Sequence, residues 1–117
     1  MWAKRIEVIR LRGVIGIGSG VNQILYNLAF SPRIKSIDIS SIGVGTQADT
    51  CEGIYKLVKI SGSLEFLNLN YCGIYDGLTK DFFIALGENK TLKALLIDSG
   101  TKFYNNLAEF GKAVAFN

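Results

Sequence analysis

The sequence predicts an α/β solenoid, with a short parallel β-sheet lining a concave face and helices on the convex face. Two observations carry this prediction. A nine-residue aliphatic pattern recurs four times at near-constant spacing, and each copy is followed by a run with helical periodicity. Together they account for residues 6 to 117, so the period outweighs any single motif inside it.

The strand segments are "IEVIRLRGV" from Ile6, "IKSIDISSI" from Ile34, "LEFLNLNYC" from Leu64 and "LKALLIDSG" from Leu92, starting 28, 30 and 28 residues apart. Each has an aliphatic residue at its first, fourth and sixth places. These are Ile6, Ile9, Leu11; Ile34, Ile37, Ile39; Leu64, Leu67, Leu69; and Leu92, Leu95, Ile97. Successive strand side chains point to opposite faces, so the fourth and sixth places fill a core and the residues between them face the concavity.

A helix follows each strand. In the third unit Leu78, Phe82, Ala85 and Leu86 fall on one helical stripe, and Ile54, Leu57 and Val58 match them in the second. The first unit offers Ile24, Leu25 and Leu28, the fourth Leu107, Phe110 and Val114. Pro32, Gly62 and Gly87 stand where the first three helices should stop, and Asp76 and Thr79 suit the N-cap of the third. The second unit's two extra residues belong in its loop "GVGTQADT".

The pattern LxxLxLxx(N/C)xL followed by a helix, at a period near 28, resembles the leucine-rich repeats of the ribonuclease-inhibitor class. "LEFLNLNYCGI" is the clearest copy, with Cys72 at the Cys/Asn place that Val14, Ile42 and Gly100 hold in the other units. The resemblance implies a single leucine-rich repeat domain over 1–117, with repeats starting near 6, 34, 64 and 92. Neither end shows the polar cap an array needs, so the expectation is part of a longer array or ends covered by neighbouring subunits. The fourth unit is less regular, because Lys102 replaces an aliphatic residue next to Phe103 and Tyr104.

Composition narrows the function classes. With 49% hydrophobic and 20% charged residues, the chain can fill a core and is not of disordered type. No apolar run reaches the length of a membrane span. The basic opening "MWAKRIEVIRLRGV" is broken by Glu7, Arg10 and Arg12, which argues against a secretory signal core; an Arg-rich mitochondrial presequence is the alternative reading. Net charge is +3 with the cations scattered, unlike the stripe a nucleic-acid binder presents. There is no histidine, and Cys51 and Cys72 are too few for a zinc site or a disulfide framework, so no metal is expected and a reducing compartment is. Cys51 reads as the start of the second helix and Cys72 as core filler.

The stretch "GVIGIGSGV" from Gly13 invites comparison with a dinucleotide-binding loop. Gly16 and Gly18 form G-x-G after a strand, and Asp38 lies about twenty residues on, where a ribose-binding acid would stand. The third glycine's place, however, holds Val21, and "SIGVGTQ" and "YCGIYDG" are glycine-bearing loops at equivalent points. These glycines read as turn residues, and no cofactor is expected.

Function is therefore expected on the concave face, whose rows read Val8, Ser36, Phe66, Ala94; Arg10, Asp38, Asn68, Leu96; Arg12, Ser40, Asn70, Asp98; and Gly13, Ser41, Tyr71, Ser99. The candidate partner-binding residues are Arg10, Arg12, Asp38, Phe66, Asn68, Asn70, Tyr71, Leu96 and Asp98, since aromatic and Arg residues among small polar groups suit interface hot spots. The bland alternative is that Arg10 and Asp38 merely pair across strands, and that Phe66 and Tyr71 cover each other. The expected function is non-catalytic binding of a protein partner. The alternatives are a structural subunit of a large cytoskeletal, ciliary or mitochondrial assembly and, by resemblance of fold, a GTPase-regulating repeat protein using Arg10 or Arg12. An intracellular, mainly cytoplasmic location fits these readings.

Overall fold

The computed structural model describes residues 5–11, 18–40, 48–70 and 79–97. Within them the chain alternates strand and helix: β1 (Val8–Arg10), α1 (Gly18–Ala29), β2 (Ser36–Asp38), α2 (Ala48–Ile60), β3 (Phe66–Asn68), α3 (Lys80–Glu88) and β4 (Ala94–Leu96). The four strands form one parallel sheet in the order β1-β2-β3-β4. Each strand is three residues long, shorter than the six-residue span of its aliphatic places. The fourth helix expected from Leu107, Phe110 and Val114 lies outside the described residues.

The register follows the sequence alignment. Ile9, Ile37, Leu67 and Leu95, the fourth places of the four units, stand side by side across the sheet. The backbone ladder is itself periodic. The carbonyls of Glu7, Lys35 and Glu65 each accept from two successive amides of the next strand: Lys35 and Ser36, Glu65 and Phe66, Lys93 and Ala94. At the other end of the strands the amides of Leu11, Ile39 and Leu69 donate to the carbonyls of Asp38, Asn68 and Leu96.

One hydrophobic core joins the sheet to the helices. It holds Ile34, Ile37, Ile39, Leu64, Leu67 and Leu69 from the strand segments, and Leu25, Leu28, Ile54, Leu57, Val58, Phe82 and Leu86 from the helices. Burying one such side chain contributes about 1.5–3 kcal/mol. Phe83 adds an aromatic that the sequence stripe does not include, meeting Phe82 edge to face at 5.1 Å. The end units are thinner: Ile6, Ile9 and Leu11, and Leu92, Leu95 and Ile97, are only partly buried.

Two helix details differ from the sequence reading. Ile24 is 36% exposed, whereas its counterparts Ile54 and Phe82 are fully buried; α2 and α3 each pack against the helix before them, and α1 has no preceding helix among the described residues. Gly87 does not end α3 but lies inside it, one residue before its last. The stop comes from Asn89, whose extended backbone leaves the helix while its amide still donates to the carbonyls of Ala85 and Leu86. At the other end, Thr79 occupies the N-cap in extended conformation without a side-chain cap bond, and Asp76 lies outside the described residues.

The helix-to-strand turns share one device. Ser31 Oγ accepts from the amides of Arg33 and Ile34, Ser61 Oγ from Ser63 and Leu64, and Asn89 Oδ1 from Thr91 and Leu92. A small polar side chain shortly before each strand segment thus satisfies amides that the turn would leave unpaired.

Candidate protein-binding face

The strand positions between the core-facing ones build the face turned away from the core. Its first row, Val8, Ser36, Phe66 and Ala94, lies in register across all four strands. Phe66 is half-buried and stands in register between Ser36 and Ala94, two small residues. Val8, at the sheet edge, is half exposed.

The second row is Arg10, Asp38, Asn68 and Leu96. Arg10 and Leu96 at its ends are exposed. Between them the polar side chains fold back onto the chain: Asp38 Oδ1 accepts from the amide of Ser40 and Asn68 Oδ1 from that of Asn70, each at 2.9 Å. Asp38 is consequently only 7% exposed, not the open strand carboxylate that period-two reasoning places there. From the third row Ser40 is buried and Asn70 is half-buried. Of the sequence-predicted residues the structure therefore gathers Arg10, Asp38, Phe66, Asn68, Asn70 and Leu96 on one sheet. Arg12, Tyr71 and Asp98 lie outside the described residues, as does Cys72.

Ion pairing differs from the expected Arg10–Asp38 contact. Among the described residues the inter-strand ion pairs are Lys35–Glu65 at 3.8 Å and Lys93–Glu65 at 3.5 Å, and Arg10 joins none. They belong to the second place of each unit, where Glu7, Lys35, Glu65 and Lys93 alternate in sign across the sheet. The signal is present in the sequence at the repeat spacing, one place beside the aliphatic pattern. Lys35 and Lys93 are exposed and Glu65 is partly so, and each pair therefore contributes at most about 1 kcal/mol.

The helical layer carries a second polar cluster. Lys59 Nζ donates to the Tyr55 hydroxyl at 3.0 Å, and this bond, followed by attraction to the same group, raises the Lys59 pKa above the ordinary lysine value. Beside it a cleft of about 220 Å³ opens between the C-terminal ends of α2 and α3, rimmed by Lys59, Glu88 and Lys90. That is below the size range of small-molecule sites. Among the described residues no three His, Cys, Asp or Glu side chains cluster to hold a metal ion, and no helix is long and apolar enough to cross a membrane.

The strand order bears on the glycine stretch. Doubly wound sheets seat a dinucleotide where the strand order reverses, and the order β1-β2-β3-β4 never does so. Asp38, the candidate ribose acid, is engaged at the end of β2 by the amide of Ser40. Residues 13–17 of the stretch lie outside the described residues.

No protein-family model matches the sequence, and no curated protein matches it. Among solved structures the chain is similar to a tropomodulin C-terminal domain from Caenorhabditis elegans at 9% identity. The superposition covers 97% of this chain and 84% of that one, with a TM-score of 0.49. A likeness of that degree does not extend to function.

Proposed function

We propose that this chain is a leucine-rich repeat module of the ribonuclease-inhibitor class that binds a protein partner through the sheet face turned away from its helices and performs no chemistry itself. The observation that carries the reading is Phe66. It is a large aromatic ring on the middle of an open sheet, flanked in register by Ser36 and Ala94. Exposed Arg10 and Leu96 stand at the two ends of the neighbouring row. An aromatic anchor with small neighbours and an Arg at the margin is the composition that interface hot spots favour. Asn68 and Asn70 belong to the scaffold of this face, since the Asn68 side chain holds the amide of Asn70. Arg12, Tyr71 and Asp98 extend the same face on the sequence pattern.

The test is affinity capture from native extract with the parent chain and a Phe66→Ala/Leu96→Ala variant, followed by rebinding of the purified partner. Loss of binding with an unchanged circular dichroism spectrum supports the reading. A partner bound equally well by both chains removes it.

A further inference from the structure

We propose that copies of this chain associate head to tail, the β1 edge and Ile24 face of one copy seated against the β4 edge of the next. The surface at the β1 end is the one that, in each later unit, is covered by the unit before it. Ile24 is 36% exposed where Ile54 and Phe82 are sealed, and Ile9 is partly buried where Ile37 and Leu67 are sealed. The uncovered surface thus has the apolar composition of a unit-to-unit contact.

Three features identify the occupant as a second copy in one orientation. First, the backbone edges complement each other. By the ladder's repeat, Lys93 would offer its carbonyl and Ile97 its amide at the β4 edge. The amides of Glu7 and Val8 and the carbonyl of Arg10 are the matching groups at the β1 edge, without a preceding strand among the described residues. Second, the charged row ends in Glu7 on one side and Lys93 on the other, so head-to-tail contact continues the alternation already seen at Lys35–Glu65–Lys93. Third, head-to-tail stacking keeps the strands parallel, as they are throughout the sheet, and so sets Glu7 of one copy beside Lys93 of the next. Like edges join the sheet only with their strands antiparallel, which takes both residues out of that pairing. Apolar burial and strand pairing supply the attraction, and the charges set its direction. Such a contact is heterologous and extends beyond a dimer unless it closes into a ring. The inference is independent of the partner-binding reading above, which uses the sheet face rather than its edges.

The test is sedimentation velocity on the 117-residue chain over a concentration series, with E7K and K93E alone and mixed in equal amounts. Both residues are exposed, and circular dichroism checks that each variant keeps the fold. The parent is expected to form species larger than a dimer as concentration rises. Each variant alone should associate at least about 10-fold more weakly, because E7K opposes two lysines and K93E two glutamates. The equal mixture should recover association. There the lysine introduced by E7K meets the glutamate introduced by K93E, and the native Glu7 of one variant meets the native Lys93 of the other. A parent that stays monomeric, a parent that stops at a symmetric dimer, or variants that associate as the parent does would each overturn the proposal.

Discussion

Asn89 binds in three directions at once. Its Nδ2 donates to the carbonyl of Val58 at 2.8 Å while Oδ1 accepts from the amides of Thr91 and Leu92, and the residue is buried. Truncation would leave these groups without their partner inside the fold, so Asn89→Ala is expected to lose about 2–3 kcal/mol in urea unfolding. Ser61→Ala removes acceptance from two amides but no inter-unit bond, and should lose about half as much. Phe66 makes the contrasting case. Half-buried and between small neighbours, its loss on Phe66→Ala should cost little folding stability, yet it should weaken partner binding by about 2 kcal/mol in calorimetry. Asp38 shows why some residues of this face were not legible in the sequence. Alternation correctly puts position 38 opposite the core, but a short carboxylate at a strand end also reaches the amide two residues on. That choice depends on where the strand stops, which the aliphatic pattern does not mark.

At the scale of elements, α1 and α2 approach closely because position 53 has no side chain. A Cβ there would lie 2.8 Å from the Asn22 side-chain oxygen and 3.2 Å from both the Asn22 carbonyl oxygen and Leu25 Cβ. The side-chain oxygen can swing away, but the backbone cannot. Gly53→Ala is therefore expected to destabilise by about 1 kcal/mol although alanine favours helix, the crowding outweighing the propensity. Gly20→Ala, on α1 with nothing within 4 Å, should stabilise by about 0.5–1 kcal/mol. Thermal unfolding of the two variants beside the parent checks both signs. The strands were the most legible elements, because four aligned aliphatic triplets specify a register as well as a strand, and Ile9, Ile37, Leu67 and Leu95 are found aligned. Helix boundaries were less so. Gly87 resembles a stop signal in any sequence, yet α3 runs through it because the Asn89 turn, bonded to Val58 on the neighbouring helix, sets the end. Ile24 and Leu25 are both apolar, and which of them is covered depends on a neighbouring helix that, among the described residues, α1 has on one side only.

Across the whole molecule, burial is graded from the middle units outward. The strand core positions of the second and third units are sealed, while those of the first and fourth are partly open. Native-state hydrogen exchange should reproduce this grading. Amides bonded between β2 and β3, such as Ile39, are expected to exchange slowest, and Leu11, bonded between β1 and β2, distinctly faster. Equal protection of the two would mean that the β1 end is as firmly held as the middle. The unbroken strand order has a further, mechanical consequence. Because β1 through β4 neighbour one another in chain order, a pull on the two termini loads the sheet one strand pair at a time instead of shearing all pairs together. Stretched as a single molecule, the chain should peel in steps of one repeat, each releasing on the order of 100 Å of contour for about thirty residues. The protein would then yield gradually under tension, from its ends toward the sealed units in the middle.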